Sequence, residues 1–372
     1  MTAPAADTPW PGVAGEPPAP DLPRAADAPD WPARLAAAVD AVDAPDVVFA
    51  VSHHGTRTVR TGGTAPPPPD PRDGLRYELG SATKAFTGLL LADLVREGRL
   101  TGGEAAVSCL RPGRDPGPTP VTLAHLLIHT SGLPALPAGF LPRALPAWRT
   151  NPYARYPAAR VVDAFLRHGP RHRPGSRWGY SNYGVAVLGH ALAAVTGTAW
   201  DDLVTERVLR PLALGGTGPW PLGPGLDAGG HGRDGRTPVP AFDPGGFAAA
   251  GAIRATPHDL LTFLEAHLAP PEGPSGELSE GSSEGLPAAS LRAVLTPVLR
   301  RGIGHRHEHT VSWFRHPTPR GPMYFHSGAT MGQQAFLGFA PGTGTALAAL
   351  CTRRFRLRDT FVATAYALLA DT

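Results

Sequence analysis

Apolar and polar positions alternate with different periods along the chain. Residues 1–29 show neither a helical nor a strand period and are rich in Pro and Ala, which predicts a disordered leader. Helical spacing starts in "DWPARLAAAVDAV", with Asp30 ahead of the run and Pro32 in its first turn. In "DVVFAVSHHGTRTVRTGG" two β-rich runs flank "HHG", the pattern of a hairpin. After the loop "APPPPDPRDG", the stretch "YELGSATKAFTGLLLADLVREGRL" predicts a helix with Phe86, Leu89, Leu90 and Leu94 on one side and Gly98 as its stop.

Residues 100–245 read as mainly helical. "VTLAHLLIHTSG", "PAARVVDAFLRHG" and "YGVAVLGHALAAVTG" have helical spacing and are separated by Pro- and Gly-rich loops. "ATPHDLLTFLEAHL" is a further helix, and the acidic, low-complexity residues 269–289 predict a mobile insertion. Period-two runs return in "VSWF", "MYFHSG", "QQAFLGFA" and "TALAALCT", before a closing helix, "DTFVATAYALLAD". The division expected is an α/β lobe from residues 30–80 and 245–372, with a mainly helical lobe, 81–244, inserted between its parts.

Composition narrows the function classes. The formal net charge is +3 over 372 residues and the arginines are interleaved with acids, so no nucleic-acid partner is expected. No apolar run reaches spanning length and the first residues lack the basic and apolar regions of a secretory signal. The expectation is a cytoplasmic protein without a membrane partner. Cys109 and Cys351 are too few for a disulfide framework and read as reduced thiols. Alternating His305, His307 and His309 in "GHRHEHT" read as a solvated loop, so no metal and no cofactor are expected. His53 and His54 sit in the hairpin turn without a role, and His129 reads as a packed structural residue.

Against 34 basic residues in all, Lys84 is the only lysine. Such a bias suits a GC-rich genome, yet a position that refuses arginine points to chemistry arginine cannot do. A buried lysine can lose its proton; a guanidinium cannot. Ser81 stands three residues earlier, one helical turn away, where a neutral lysine could take its proton and turn a weak nucleophile into a strong one. Amide groups at the helix start could stabilise an oxyanion. "YSN" places Tyr180 and Asn182 just before the next long helix; Asn182 is one of two asparagines in the chain. A tyrosine beside a lysine cation is expected to have a lowered pKa and to shuttle protons. The asparagine amide can donate to a substrate carbonyl and accept from the lysine. "HSG" puts His326, Ser327 and Gly328 near the end of a strand, followed by the Ala329 N–H. Few other polar groups adjoin the motifs; Gln333 and Gln334, the only glutamines, lie just beyond, which suggests an apolar mouth.

In this order, S-A-T-K, Y-S-N and H-S-G resemble the three motifs of the serine β-lactamase and penicillin-binding-protein family. "LLIHTSGLP", "PGSRWGYSNYG" and "GFAAAGAIRATPHDLLTFLEAHL" are similar to its class C branch, which includes esterases and transacylases. The resemblance implies an α+β, class C β-lactamase-like fold: an antiparallel sheet flanked by N- and C-terminal helices, with an inserted all-helical lobe. It implies Ser81 as acylated nucleophile, Lys84 as proton acceptor and Tyr180 as relay. Asn182, His326, Ser327 and Gly328 would bind substrate, with the N–H groups of Ser81 and Ala329 as oxyanion donors. The expected partners are a small-molecule ester or amide donor and water or an amine as acceptor, in a setting of specialised, antibiotic-type biosynthesis. A β-lactamase or D-alanyl carboxypeptidase, and a non-catalytic ligand-binding protein of the same fold, are the alternatives. His326 stands where secreted β-lactamases usually carry lysine, and a neutral imidazole binds a carboxylate less well than an ammonium.

Overall fold

The computed structural model describes residues 29–270, 286–301 and 307–372. Most of the expected leader and insertion, and His305, lie outside these residues. Helix α1 (Trp31–Asp40) is capped by the Asp30 carboxylate, which accepts from the Ala33 N–H. Strands β1 (Val47–His53) and β2 (Thr56–Gly62) follow, joined by His54 and Gly55, both with positive φ, as a tight hairpin turn requires. The central helices are α2 (Thr83–Arg96), α3 (Asn182–Thr196) and α4 (Pro257–Leu268). Strands β3 (Pro297–Arg301), β4 (His307–Thr310), β5 (Phe314–Thr318), β6 (Gly321–Ala329), β7 (Gln334–Ala340) and β8 (Thr345–Cys351) lead to α5 (Phe361–Ala370).

These strands form one antiparallel sheet in the order β2-β1-β8-β7-β6-β5-β4-β3. β1 and β8 bring the two ends of the chain side by side, with Val48 opposite Leu350. Alternate residues face opposite sides of a sheet. Val47, Phe49 and Val51 accordingly join Trp31, Leu35 and Phe361 in one core, under α1 and α5. Val48 and Ala50 join the other, larger core, with the helices that include α2, α3 and α4. Both faces of the central strands are covered, so β7 and β8 are buried throughout.

The class C β-lactamase-like, α+β fold anticipated from the motifs is the fold observed. Three details differ from the reading of the pattern. Helix α2 is buried on nearly every side from Thr83 to Leu94, because it runs through the larger core instead of lining one face of it. The middle region also contributes strands to short ladders: Thr217–Gly218 joins Arg254–Ala255 and Tyr77–Glu78 in one, and Gly230–His231 pairs with Pro238–Val239 in another. Most consequentially, His309 is no solvated loop residue. It sits in β4, 7% exposed, with its ring 5.1 Å from Trp178 and 4.7 Å from Phe314. Its apolar neighbours come from the next strand and from the distant Trp178, so no local periodicity announces the strand. No described helix is long and apolar enough to cross a membrane.

Candidate active site

The serine is presented by a tight turn. Gly80 has φ +49, and the 3-10 turn Gly80–Ala82 leads directly into α2, so Ser81 stands just ahead of the helix rather than inside it. One turn later, Lys84 is 2% exposed. Its Nζ lies 3.1 Å from Ser81 Oγ, 2.8 Å from Asn182 Oδ1 and 2.9 Å from the Ala250 carbonyl. Tyr180 donates its hydroxyl to Ser81 Oγ at 2.7 Å. Asn182 opens α3, and the Ser181 hydroxyl caps that helix by accepting from the Gly184 N–H at 2.8 Å.

Burial dominates the electrostatics. With no carboxylate bonded to it, desolvation pushes the Lys84 amine well below its ordinary 10.5. A neutral amine has two N–H groups and one lone pair. Nζ donates to Asn182 Oδ1, the Ala250 carbonyl and Ser81 Oγ, which also accepts from Tyr180; once unprotonated, Nζ can keep the first two bonds and turn its lone pair to the Ser81 hydroxyl. The lowered Tyr180 pKa expected from sequence is not found. Burial pushes its phenol up, and the hydrogen bond to Ser81 offsets this only in part. Tyr180 is therefore a proton donor at neutral pH, not a phenolate.

The third motif meets the serine through its glycines. A Cβ on Gly328 would fall 1.9 Å from the Leu79 carbonyl oxygen and 2.8 Å from the Ser81 nitrogen. One on Gly80 would meet the Ala329 backbone nitrogen at 2.8 Å. The end of β6 thus lies directly on the Ser81 turn. His326 lines a cavity with Lys84, His129, His309 and Phe314. Burial, with Lys84 nearby, pushes its imidazole down to about 3. The ring is neutral, with Nδ1 donating to the Ser327 carbonyl at 2.8 Å. Ser327 is itself buried.

Several participants escaped the sequence reading. The Ala250 carbonyl belongs to a backbone that carries no side-chain signal. Tyr153 accepts from Asn182 Nδ2 at 3.2 Å, holding the amide so that its oxygen faces Lys84. His129 is buried in a left-handed conformation, φ +61; its carbonyl accepts from Gly179 and its Nδ1 from Ser181, clamping the Y-S-N loop. The mouth is lined by imidazoles as well as apolar groups, contrary to the apolar one expected. Gln333 and Gln334 are not in it. Both are buried in the scaffold: Gln333 donates to the Ala228 carbonyl at 2.7 Å and Gln334 to Asp359 at 2.9 Å. Among the described residues no His, Cys, Asp or Glu group is arranged to hold a metal ion. Both cysteines are free thiols.

A profile of the Beta-lactamase family matches residues 33–372. The chain belongs to the Beta-lactamase family. It is therefore a member of a β-lactamase-fold serine hydrolase group. Over 332 residues it is 27% identical to penicillin-binding protein 4 of Amycolatopsis lactamdurans, covering 86% of this chain and 80% of that one. A class C beta-lactamase mutant superposes with a TM-score of 0.71 at 18% identity, covering 88% of this chain and 92% of the other. A D-stereospecific amidohydrolase from a Streptomyces species gives 0.69 at 22% identity, covering 90% and 98%. In this Beta-lactamase-family chain the serine, its only lysine, the tyrosine and the asparagine meet at one point, between the sheet and the helices.

Proposed function

We propose that this chain is a serine acyl-transfer enzyme acting on a small-molecule ester or amide through an acyl-Ser81 intermediate. The observation that carries the reading is Lys84: buried, without a carboxylate partner among the described residues, its nitrogen 3.1 Å from Ser81 Oγ. In the reaction proposed, Oγ attacks the donor carbonyl as its proton passes to Nζ. The ammonium then has three acceptors around it, Ser81 Oγ, Asn182 Oδ1 and the Ala250 carbonyl, which accommodate the transient charge. The N–H groups of Ser81 and Ala329 take the oxyanion. The leaving alkoxide or amine departs with the Tyr180 proton, and Lys84 reprotonates the phenol. Water or an amine then attacks the acyl-serine by the same steps in reverse, releasing acid or amide.

The neutral His326 weighs against substrates that need a cation for a carboxylate, and so against a β-lactam or D-alanyl peptide as the natural donor. The similarity to a penicillin-binding protein keeps penicillin acylation in the test. A transacylase of specialised metabolism, antibiotic assembly included, is the setting proposed, from the composition and the family resemblance. The decisive experiment is intact-protein mass spectrometry after exposure to a p-nitrophenyl ester and, separately, to penicillin. The expected result is an acyl adduct with the ester, mapping to Ser81 and absent in Ser81→Ala, with little from penicillin. An amide product that rises with amine concentration at the expense of acid identifies transfer. Absence of any Ser81 adduct, with the protein folded, overturns the enzyme reading in favour of a binding protein.

A further inference from the structure

One face of the protein combines unpaired cations with exposed apolar side chains. Residues 141–160, "LPRALPAWRTNPYARYPAAR", contain four arginines and no acid. Helix Phe140–Ala144 continues into the 3-10 turn Leu145–Ala147. Phe140 and Ala144 point into the core, whereas Leu141, Leu145 and Trp148 are 58%, 67% and 45% exposed. Spacings of four and three residues place those three along one ridge. Among the described residues, Arg143, Arg149, Arg155 and Arg160 make no ion pair, although 15 pairs occur elsewhere.

A second segment extends this face. Arg354 donates to the Arg149 carbonyl at 3.5 Å, next to Trp148, and Arg233 donates to the carbonyl of the following residue, Phe355, at 3.3 Å. Neither forms an ion pair among the described residues. Leu357, two residues on, is 87% exposed, the highest value among the described large apolar residues. Burial and then the neighbouring Arg233 push the Arg354 pKa down, as expected where like charges are crowded. The whole chain carries a net charge of only +3, so this is a local concentration. A cationic face that serves solubility alone has no use for a ridge of Leu and Trp. Side chains that favour the acyl–headgroup boundary, surrounded by arginines able to pair with phosphates, are complementary to an anionic lipid surface.

We propose that this face, built on Leu141, Leu145, Trp148 and Leu357 with their surrounding arginines, docks the protein on an anionic lipid bilayer. The membrane partner was not expected from the sequence, where the arginines read as scattered. The docking face lies close to the proposed acyl-transfer site: Tyr153, which holds Asn182, belongs to the arginine-rich segment and packs at a tilt against Phe140 of the ridge helix, 5.2 Å between rings. Docking would bring the cleft near the lipid surface, without itself being part of the chemistry.

The test is co-sedimentation of the full chain with phosphatidylglycerol–phosphatidylcholine vesicles and with phosphatidylcholine alone. Binding to the anionic vesicles, falling at high salt, is expected. Leu145→Asp combined with Trp148→Asp, and separately Arg149→Glu combined with Arg155→Glu, should each weaken it by about tenfold or more. Circular dichroism and hydrolysis of a water-soluble ester should be unchanged in both variants. No binding to anionic vesicles at low salt would overturn the proposal. So would equal binding to neutral vesicles, binding indifferent to both variants, or self-association without vesicles that the apolar double variant abolishes, which would make the ridge a contact between copies.

Discussion

At the scale of single residues, the proposed chemistry depends on one amine whose pKa burial pushes well below its ordinary value. Arginine at position 84 would fit the charge but could not take the serine proton. Lys84→Arg should therefore lower Ser81 acylation at least about a hundredfold, with circular dichroism unchanged; retention of most activity would remove lysine as the base. The pH profile follows from the directions of the shifts. Acylation needs Lys84 unprotonated, so kcat/KM should fall as pH drops through its lowered pKa, far below 10.5. His129 and His326 are pushed below the usual histidine range and contribute no limb near neutrality. Tyr180 is pushed up, so no alkaline loss is expected below about pH 10. A bell centred near neutrality would contradict this assignment. Tyr180→Phe keeps the ring against His129, 4.5 Å away, but removes the proton donor. It should slow turnover about a hundred- to ten-thousandfold, and a change below about threefold would take the hydroxyl out of the mechanism.

At the scale of elements, the close approach of β6 to the Ser81 turn governs the geometry. Only glycine fits at 328, because any Cβ would collide with the Leu79 carbonyl oxygen. Gly328→Ala should cost about 3 kcal/mol or more of stability and abolish the Ser81 adduct, since strand and turn must separate. Urea denaturation and mass spectrometry read the two effects. An alanine variant with normal stability and acylation would show that the strand end is looser than the structure has it. The same scale explains where pattern reading worked. α3, α4 and the hairpin carry their signals locally, in the Ser181 and Thr256 caps and the His54–Gly55 turn. β4 carries none, because His309 is buried by Trp178 and Phe314, far from it in sequence or across a turn.

At the scale of the whole molecule, buried polar links join the early and late parts of the chain. Glu78 accepts from Arg254 at 3.2 Å, from the Phe242 N–H at 2.6 Å and from the Thr330 hydroxyl at 2.5 Å. Its own N–H donates to Gln333 at 2.9 Å. One carboxylate thus ties the strand before Ser81 to the loop after H-S-G. Glu78→Gln would leave the buried Arg254 guanidinium uncompensated, at a cost of about 3–5 kcal/mol. Denaturant unfolding should show it, with acylation reduced as the third motif loses its anchor. A loss below about 1 kcal/mol would mean that the remaining carbonyl partners of Arg254 suffice.

What the chain alone determined is a set of candidate groups and the local elements that carry them. Ser81, Lys84, Tyr180 and Asn182 were legible as candidates because rarity and spacing set them apart, and the structure brings them together. Helix caps and turns were legible because they are made by neighbours in sequence. Tertiary structure alone decided the direction in which the lysine and tyrosine pKa values shift, since both depend on how much water remains once distant segments close around them. It also decided the supporting partners: the Ala250 carbonyl 166 residues from Lys84, Tyr153 beneath Asn182, and His309 in the wall of the cavity. Those contacts join positions with no shared periodicity, and burial by remote neighbours leaves no mark on a local pattern.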